Sequence, residues 1–221
     1  MLHLLLIPTV DIFSILVSKF FYPDEQVHHN RRWFMIHAFV NGLVTYYNFG
    51  DLMLCMRDPL KYPLLPMSQD SFFSTDIMIV SHFYHMTFFY PYLKKDEWFH
   101  HLLMMSLSGT SVYILGNKSQ ASYAFFLSGL PGLIDYSLLW GVKMKFVPPW
   151  LEKNVYLYLT TYVRSPGTMM VTCLTVPHLA RFDGWMWSYC GLLATLNFWN
   201  GQYYMMKSCR DHERWMIKNN Y

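Results

Sequence analysis

Lys94-Lys95-Asp96-Glu97-Trp98-Phe99-His100-His101-Leu102-Leu103-Met104-Met105 is the stretch on which the fold turns: four charged residues, then an apolar run that continues to Gly116. The run before it extends from Ser71 to Leu93. A short charged turn between two such runs predicts antiparallel membrane helices, because hydrocarbon excludes charge and tolerates backbone only where its hydrogen bonds close within the helix. Spanning that layer takes about 20 mostly apolar residues. His100 and His101 lie where the second run begins, and polar groups at membrane depth are costly enough to suggest function by default.

The same pattern repeats along the chain. Apolar runs between clusters of charge and proline fall at Leu2 to Phe20, Trp33 to Met56, Ser71 to Leu93, Trp98 to Gly116, Ala121 to Val142, Asn154 to Val176 and Trp185 to Met206. Hydrophobic residues make up 53% of the 221 residues and charged ones 14%, which points to an all-α, polytopic transmembrane bundle of about seven helices. Mean hydropathy is only +0.15, so polar residues are expected inside the bundle. The first run lacks a basic leader and a small-x-small cleavage site, and reads as a retained helix.

Charge in the turns is lopsided. With alternating helices, one face holds Lys19, Arg31, Arg32, Lys94, Lys95, Lys143, Lys145, Lys153 and the basic residues from Lys207 to Lys218, whereas the other holds Arg57, Lys61, Lys118 and Arg181. The positive-inside rule makes the first face cytosolic, with a lumenal or external N-terminus and a cytosolic C-terminus. A net charge of +3, distributed by sidedness, leaves no nucleic-acid patch. Cys55, Cys173, Cys190 and Cys209 lack paired spacing and are expected as free thiols. The stretch from Arg57 to Asp70, with Pro59, Pro63 and Pro66, reads as one ordered loop.

Chemistry concentrates in a few polar residues. His82 and His85 are three apart on the third run and share a helix face; the short turn brings His100 and His101 back to the same end. Such imidazoles serve as base or nucleophile in acyl transfer, as metal ligands, or as hydrogen-bond partners of a lipid headgroup. The plainer reading, interfacial histidines in reach of water, also stands. The HxxH and bare HH lack the HxxxH and HxxHH spacing of membrane di-iron desaturases, so no metal site is expected. His28 and His29, beside Asp24 and Glu25, are expected to be solvated. Arg164 falls mid-way along the sixth run and must find a partner inside: an ion pair with Asp135, or a headgroup or coenzyme phosphate. Gly129-Leu130-Pro131-Gly132 is expected to break or bend the fifth helix beside a cavity.

Arg32-Trp33 with Ile36-His37-Ala38, then Arg57-Asp58-Pro59, Trp98-Phe99-His100-His101-Leu102, Val163-Arg164 before Pro166, and Asn197-Phe198-Trp199 stand in one order. In that order they resemble the TLC domain family, the TRAM, Lag1 and CLN8 group of multi-pass membrane proteins that includes the ceramide synthases. The synthases carry a His-Asp and a second Asp after their HH; here Leu130-Pro131-Gly132-Leu133-Ile134-Asp135-Tyr136 has no histidine and one Asp. Many other members carry an Asp before HH where this chain has His85, in Ser81-His82-Phe83-Tyr84-His85. The resemblance is therefore closer to the non-synthase members.

The resemblance implies a six-helix core around a cavity for lipid or fatty-acyl chains, preceded by one extra helix, in the endoplasmic reticulum or a related membrane. The corresponding division is an N-terminal helix and loop over 1–30, a TLC-type domain over 31–207 and a cytosolic tail over 208–221. It implies a role in membrane lipid metabolism or homeostasis with no resident cofactor. As an acyltransferase the protein would take acyl-CoA as co-substrate. His100 or His101 would then be the base or transient acyl carrier, Asp135 would orient it, and His82, His85 and Arg164 would bind lipid or phosphate. As a sensor or trafficking adaptor it would bind lipid and catalyse nothing.

Overall fold

Each apolar run lies in its own helix, ended where charge, proline or glycine makes continuation costly. The computed structural model describes residues 2–219; Met1 lies outside the described residues, as do Asn220 and Tyr221 of the expected tail. The described helices are α1 (Leu2–Phe21), α2 (His29–Arg57), α3 (Gln69–Phe88), α4 (95–115), α5 (Lys118–Lys143), α6 (149–175) and α7 (Gly184–Lys218), with no strand among the described residues. Ser68 caps α3 by accepting from the Ser71 N–H, and Asn117 with Gln120 forms a capping box on α5. Gly116, at φ +50°, supplies the left-handed residue between α4 and α5.

Two boundaries and the interior of one helix differ from expectation. The third run stops at Phe88, because Pro91 shapes Tyr90–Tyr92 into a separate 3₁₀ turn. The tail expected from 208 is a continuation of α7 to Lys218: its residues include no glycine or proline, Ser208 bonds Thr160, and His212 bonds Asn154 at 2.7 Å. Of the break or bend expected at Pro131, the break is absent from α5. The helix instead widens into a π-helical turn over Phe125–Gly129, which contains Leu127, whose carbonyl the proline ring would otherwise crowd. Pro166 repeats the arrangement, following a π-turn at Thr160–Arg164 that contains Tyr162. A third π-turn occupies Met104–Gly109 of α4.

Cross-links at the two ends set the helix directions. At one end Glu25 pairs with Arg31 at 2.6 Å and Lys145 at 2.9 Å, and the Arg31 Nε–H donates to the Lys143 carbonyl. Lys145 and then Arg31 hold the exposed Glu25 carboxyl below the usual glutamate range. At the other end the Met67 N–H donates to Gly116 O at 2.8 Å, the Lys118 N–H to Leu65 O at 2.9 Å, and the His178 ring to Pro59 O at 3.1 Å. The loop after Arg57 is thus ordered, as expected, and consecutive helices run antiparallel.

α2 is central, packing on α1, α3 and α5, and its Trp33, Ile36, Val40 and Val44 join Ile7, Ile77, Met78 and Phe89 in the core. Polar residues are inside as well. On α1, Asp11, Ser14 and Ser18 are buried while Leu5 and Phe20 are 67% and 81% exposed. One described helix, Lys118–Lys143, is long and apolar enough by length and composition to cross a membrane. In α2 the interior Asn41, Asn48 and Asp51 lower the mean hydropathy.

Gly132 of α5 faces the Asn41 side chain so closely that a Cβ there has no space. Its φ is not in the left-handed region, so the constraint is steric. Gly132→Val is expected to cost about 2 kcal/mol by overpacking, read as a lowered thermal midpoint of the purified protein. Gly191→Ala, which meets nothing within 4 Å, is the control. It is expected to leave stability unchanged or raise it by up to about 1 kcal/mol.

Candidate functional site

α3 and α4 bring the four histidines together, and their environments separate them into two roles. Adjacent residues on a helix differ by about 100° in direction, so His100 and His101 face different neighbours. His101 turns into the α2–α3 packing, where it is 3% exposed and its Nε2 lies 2.8 Å from His85 Nδ1. Trp33 stacks on the His85 ring at a centroid distance of 3.2 Å. His101 Nδ1 is buried without a partner. Leaving it unprotonated costs less than stranding a buried N–H, so His101 is assigned Nε2–H, donating to His85 Nδ1. His101 and His85 are thereby a structural pair behind the site, because the remaining His101 lone pair is enclosed.

His100 and His82 instead line a cavity of about 180 Å³. The His82 Nδ1–H donates to the Met78 carbonyl at 2.7 Å, so its neutral ring keeps Nε2 as a free acceptor. His82 and His100 have ring centroids 6.1 Å apart. Across the cavity stand Asp135 and Tyr136 of α5, Arg164 and Tyr156 of α6, and Tyr204 of α7. Residues of the π-turns contribute too: Leu107 from α4, Leu127 and Ser128 from α5, and Arg164 from α6. A π-turn rotates the side chains after it relative to a regular helix, which is one way a helix presents polar groups to a site.

The expected Asp135–Arg164 ion pair is absent: no carboxylate lies within 4.0 Å of the Arg164 guanidinium among the described residues. Both side chains face the cavity, and Arg164 packs its guanidinium over Tyr204 at 4.9 Å, with a buried, unpartnered Nε. Asp135 does not orient His100 or His101 by a hydrogen bond either; His101 is held by His85, from the opposite side. The cause is placement, since Asp135 is on α5, across the cavity from α4.

Searches of protein-family models, curated proteins and solved structures find no match to this chain. Its chemistry is therefore read from its own residues. Among the described residues no group of three or more His, Cys, Asp or Glu side chains is arranged to hold a metal ion. The arrangement does offer a free imidazole acceptor, a second cavity-facing imidazole, a carboxylate and an unpaired guanidinium around one space.

His37 belongs to the site, and in the sequence it stands out only through its place in a motif that resembles the family's. It stacks on Tyr136 at 4.2 Å and meets Trp33 edge-on at 3.8 Å. A signal for it was present: Trp33, His37 and Asn41 recur every four residues on α2, a polar stripe on one helix face. Tyr156 and Tyr204 carry no such signal, because tyrosine is common throughout these helices. His28 accepts from the Asn30 N–H, and His29 stacks on Tyr92 at 4.1 Å, away from the cavity histidines.

Proposed function

We propose that this protein is a seven-helix integral membrane protein of the TLC type that binds a lipid or fatty-acyl chain within its bundle and acts in membrane lipid metabolism or homeostasis. The observation that carries the reading is the cavity of about 180 Å³, with His82, His100, Asp135 and Arg164 on its wall, inside a bundle with an apolar exterior. Phe20, Tyr46, Phe99, Tyr162 and Trp185 are all exposed on that exterior, whereas Asp11, Asn48 and Asp51 are buried. Water as surrounding solvent would penalise so much exposed apolar surface; lipid would not. On this reading the excess of basic turns marks the cytosolic end, the N-terminus is lumenal and the C-terminus cytosolic, in the endoplasmic reticulum or a related membrane.

Acyl transfer from acyl-CoA to a lipid amine or hydroxyl is the second reading, favoured by the free Nε2 acceptor of His82 beside cavity-facing His100. An imidazole takes the acceptor's proton as its nitrogen or oxygen attacks the thioester carbonyl. The C–S bond then breaks, and the departing coenzyme A thiolate recovers that proton from the imidazolium. Arg164 suits the coenzyme phosphates or the developing oxyanion.

Membranes holding the protein are given labelled long-chain acyl-CoA, and product lipids are resolved by mass. Turnover is expected to fall by about 100-fold in His82→Ala and in His100→Ala at matched folded abundance, if the protein is an enzyme. A lipid that co-purifies with the intact protein, with no histidine-dependent product from sphingoid, glycerol or sterol acceptors, leaves a lipid sensor or trafficking adaptor. Absence of any bound lipid or acyl chain overturns the reading as a whole.

A further inference from the structure

The cavity contains a guanidinium and a carboxyl group that do not pair with one another. Among the described residues Arg164 has no carboxylate within 4.0 Å, its Nε is buried without a partner, and its guanidinium packs over the face of Tyr204. Asp135 faces the same space and makes no hydrogen bond or ion pair among the described residues. In a bundle that places its other deep charges with care, this pair is conspicuous. Asp11 is paired with Arg32 and Asp51 with Lys118. Polar groups left without partners in a low-dielectric interior are expensive, and a bound group that meets both recovers that cost.

We infer that the cavity recognises a lipid head carrying an anionic group, phosphate or carboxylate, next to a hydrogen-bond donor, hydroxyl or ammonium, with the anion at Arg164 and the donor at Asp135. A bare anion leaves the Asp135 carboxyl unmet; a neutral head leaves Arg164 unmet. The planar guanidinium matches the paired oxygens of phosphate or carboxylate. The chain portion has a place to go. A second, smaller cavity of about 70 Å³ adjoins the first through shared walls at Met78, Leu127, Ser128, Leu193 and Asn197, and continues towards Leu64 and Phe182 at the opposite end of the bundle. The inference rests on the reading of the cavity as a lipid site and specifies the head that site accepts.

Three probes of equal chain length separate the contributions: a lysophosphatidate (phosphate and free hydroxyl), an alkyl phosphate (phosphate alone) and a fatty alcohol (hydroxyl alone). Binding to the purified full chain in detergent micelles is followed by native mass spectrometry. The lysophosphatidate is expected to bind about tenfold or more tightly than either other probe, as charge-assisted hydrogen bonds warrant. Arg164→Gln is expected to erase the advantage of both phosphates over the alcohol. Asp135→Asn is expected to narrow the lysophosphatidate's advantage over the alkyl phosphate. The ranking on the unaltered protein tests the inference even if a variant fails to fold. Equal binding of all three there overturns the inference and leaves the lipid reading intact. Failure of all three to bind sinks both. If glycerol phosphate without a chain displaces the lysophosphatidate at equal concentration, the site takes a soluble phosphoester, and the lipid source is wrong.

Discussion

Asp11→Ala is expected to destabilise the protein by about 3 kcal/mol, lowering its thermal midpoint by roughly 6–12 °C for a chain of this size. The Asp11 carboxylate is 2% exposed and receives two hydrogen bonds from Arg32, Nε–H to Oδ1 at 2.7 Å and Nη2–H to Oδ2 at 2.5 Å. The Tyr84 hydroxyl donates to the same Oδ2 at 2.6 Å. One carboxylate thus joins α1, α2 and α3. Removing it strands a guanidinium whose side chain is only 27% exposed, and leaves a tyrosine hydroxyl short of its acceptor. The cost lies in the stranded charge more than in a lost attraction. Asp11→Ala with Arg32→Leu is therefore expected to recover most of the loss, whereas additive losses in the double variant would contradict the account. A shift of under about 1 °C in the single variant would show that the triad contributes little.

Asp51→Ala is expected to have an effect of similar size at the opposite end of the bundle, about 3 kcal/mol. Asp51 is 2% exposed, accepts from the Ser68 N–H at 2.7 Å and pairs with Lys118 Nζ at 2.5 Å. Lys118 opens α5, so this carboxylate holds the loop after α2 against the start of α5 and its capping box. Its loss leaves a buried ammonium and an unsatisfied backbone donor. Two measurements check this: the thermal midpoint, and amide hydrogen exchange at Ser68, Met67 and Lys118. Faster exchange confined to these amides is the expected pattern. Asp51→Asn keeps an acceptor for Ser68 and loses only the charge, so its loss should be smaller; an equal loss would assign the effect to the ion pair alone.

Neither network was legible in the sequence. Arg32 reads as one of the turn charges and Asp11 lies within an apolar run, because linear order does not tell which polar residue faces which. What the order does carry is periodicity. Ile7, Asp11, Ser14 and Ser18 recur every three or four residues on the buried face of α1, and Trp33, His37 and Asn41 do so on α2. Read as interior stripes, those intervals would have placed Asp11 and His37 inside. The histidines show the same division. That His82, His85, His100 and His101 share one end of the bundle followed from a short turn, but their separation into a locked pair and a cavity-facing pair followed from rotations about α3 and α4.

By itself, then, the amino-acid sequence determined the number of helices, their approximate limits and their alternating directions, because run length, charged turns and prolines act locally on the backbone. Only the tertiary structure decided that α7 runs on through the expected tail, that α5 widens at Phe125–Gly129 instead of breaking, and that Asp135 and Arg164 share a cavity without pairing. Those outcomes depend on how helices distant in sequence rotate and pack, and a side chain's partner is set by that packing rather than by its neighbours along the chain.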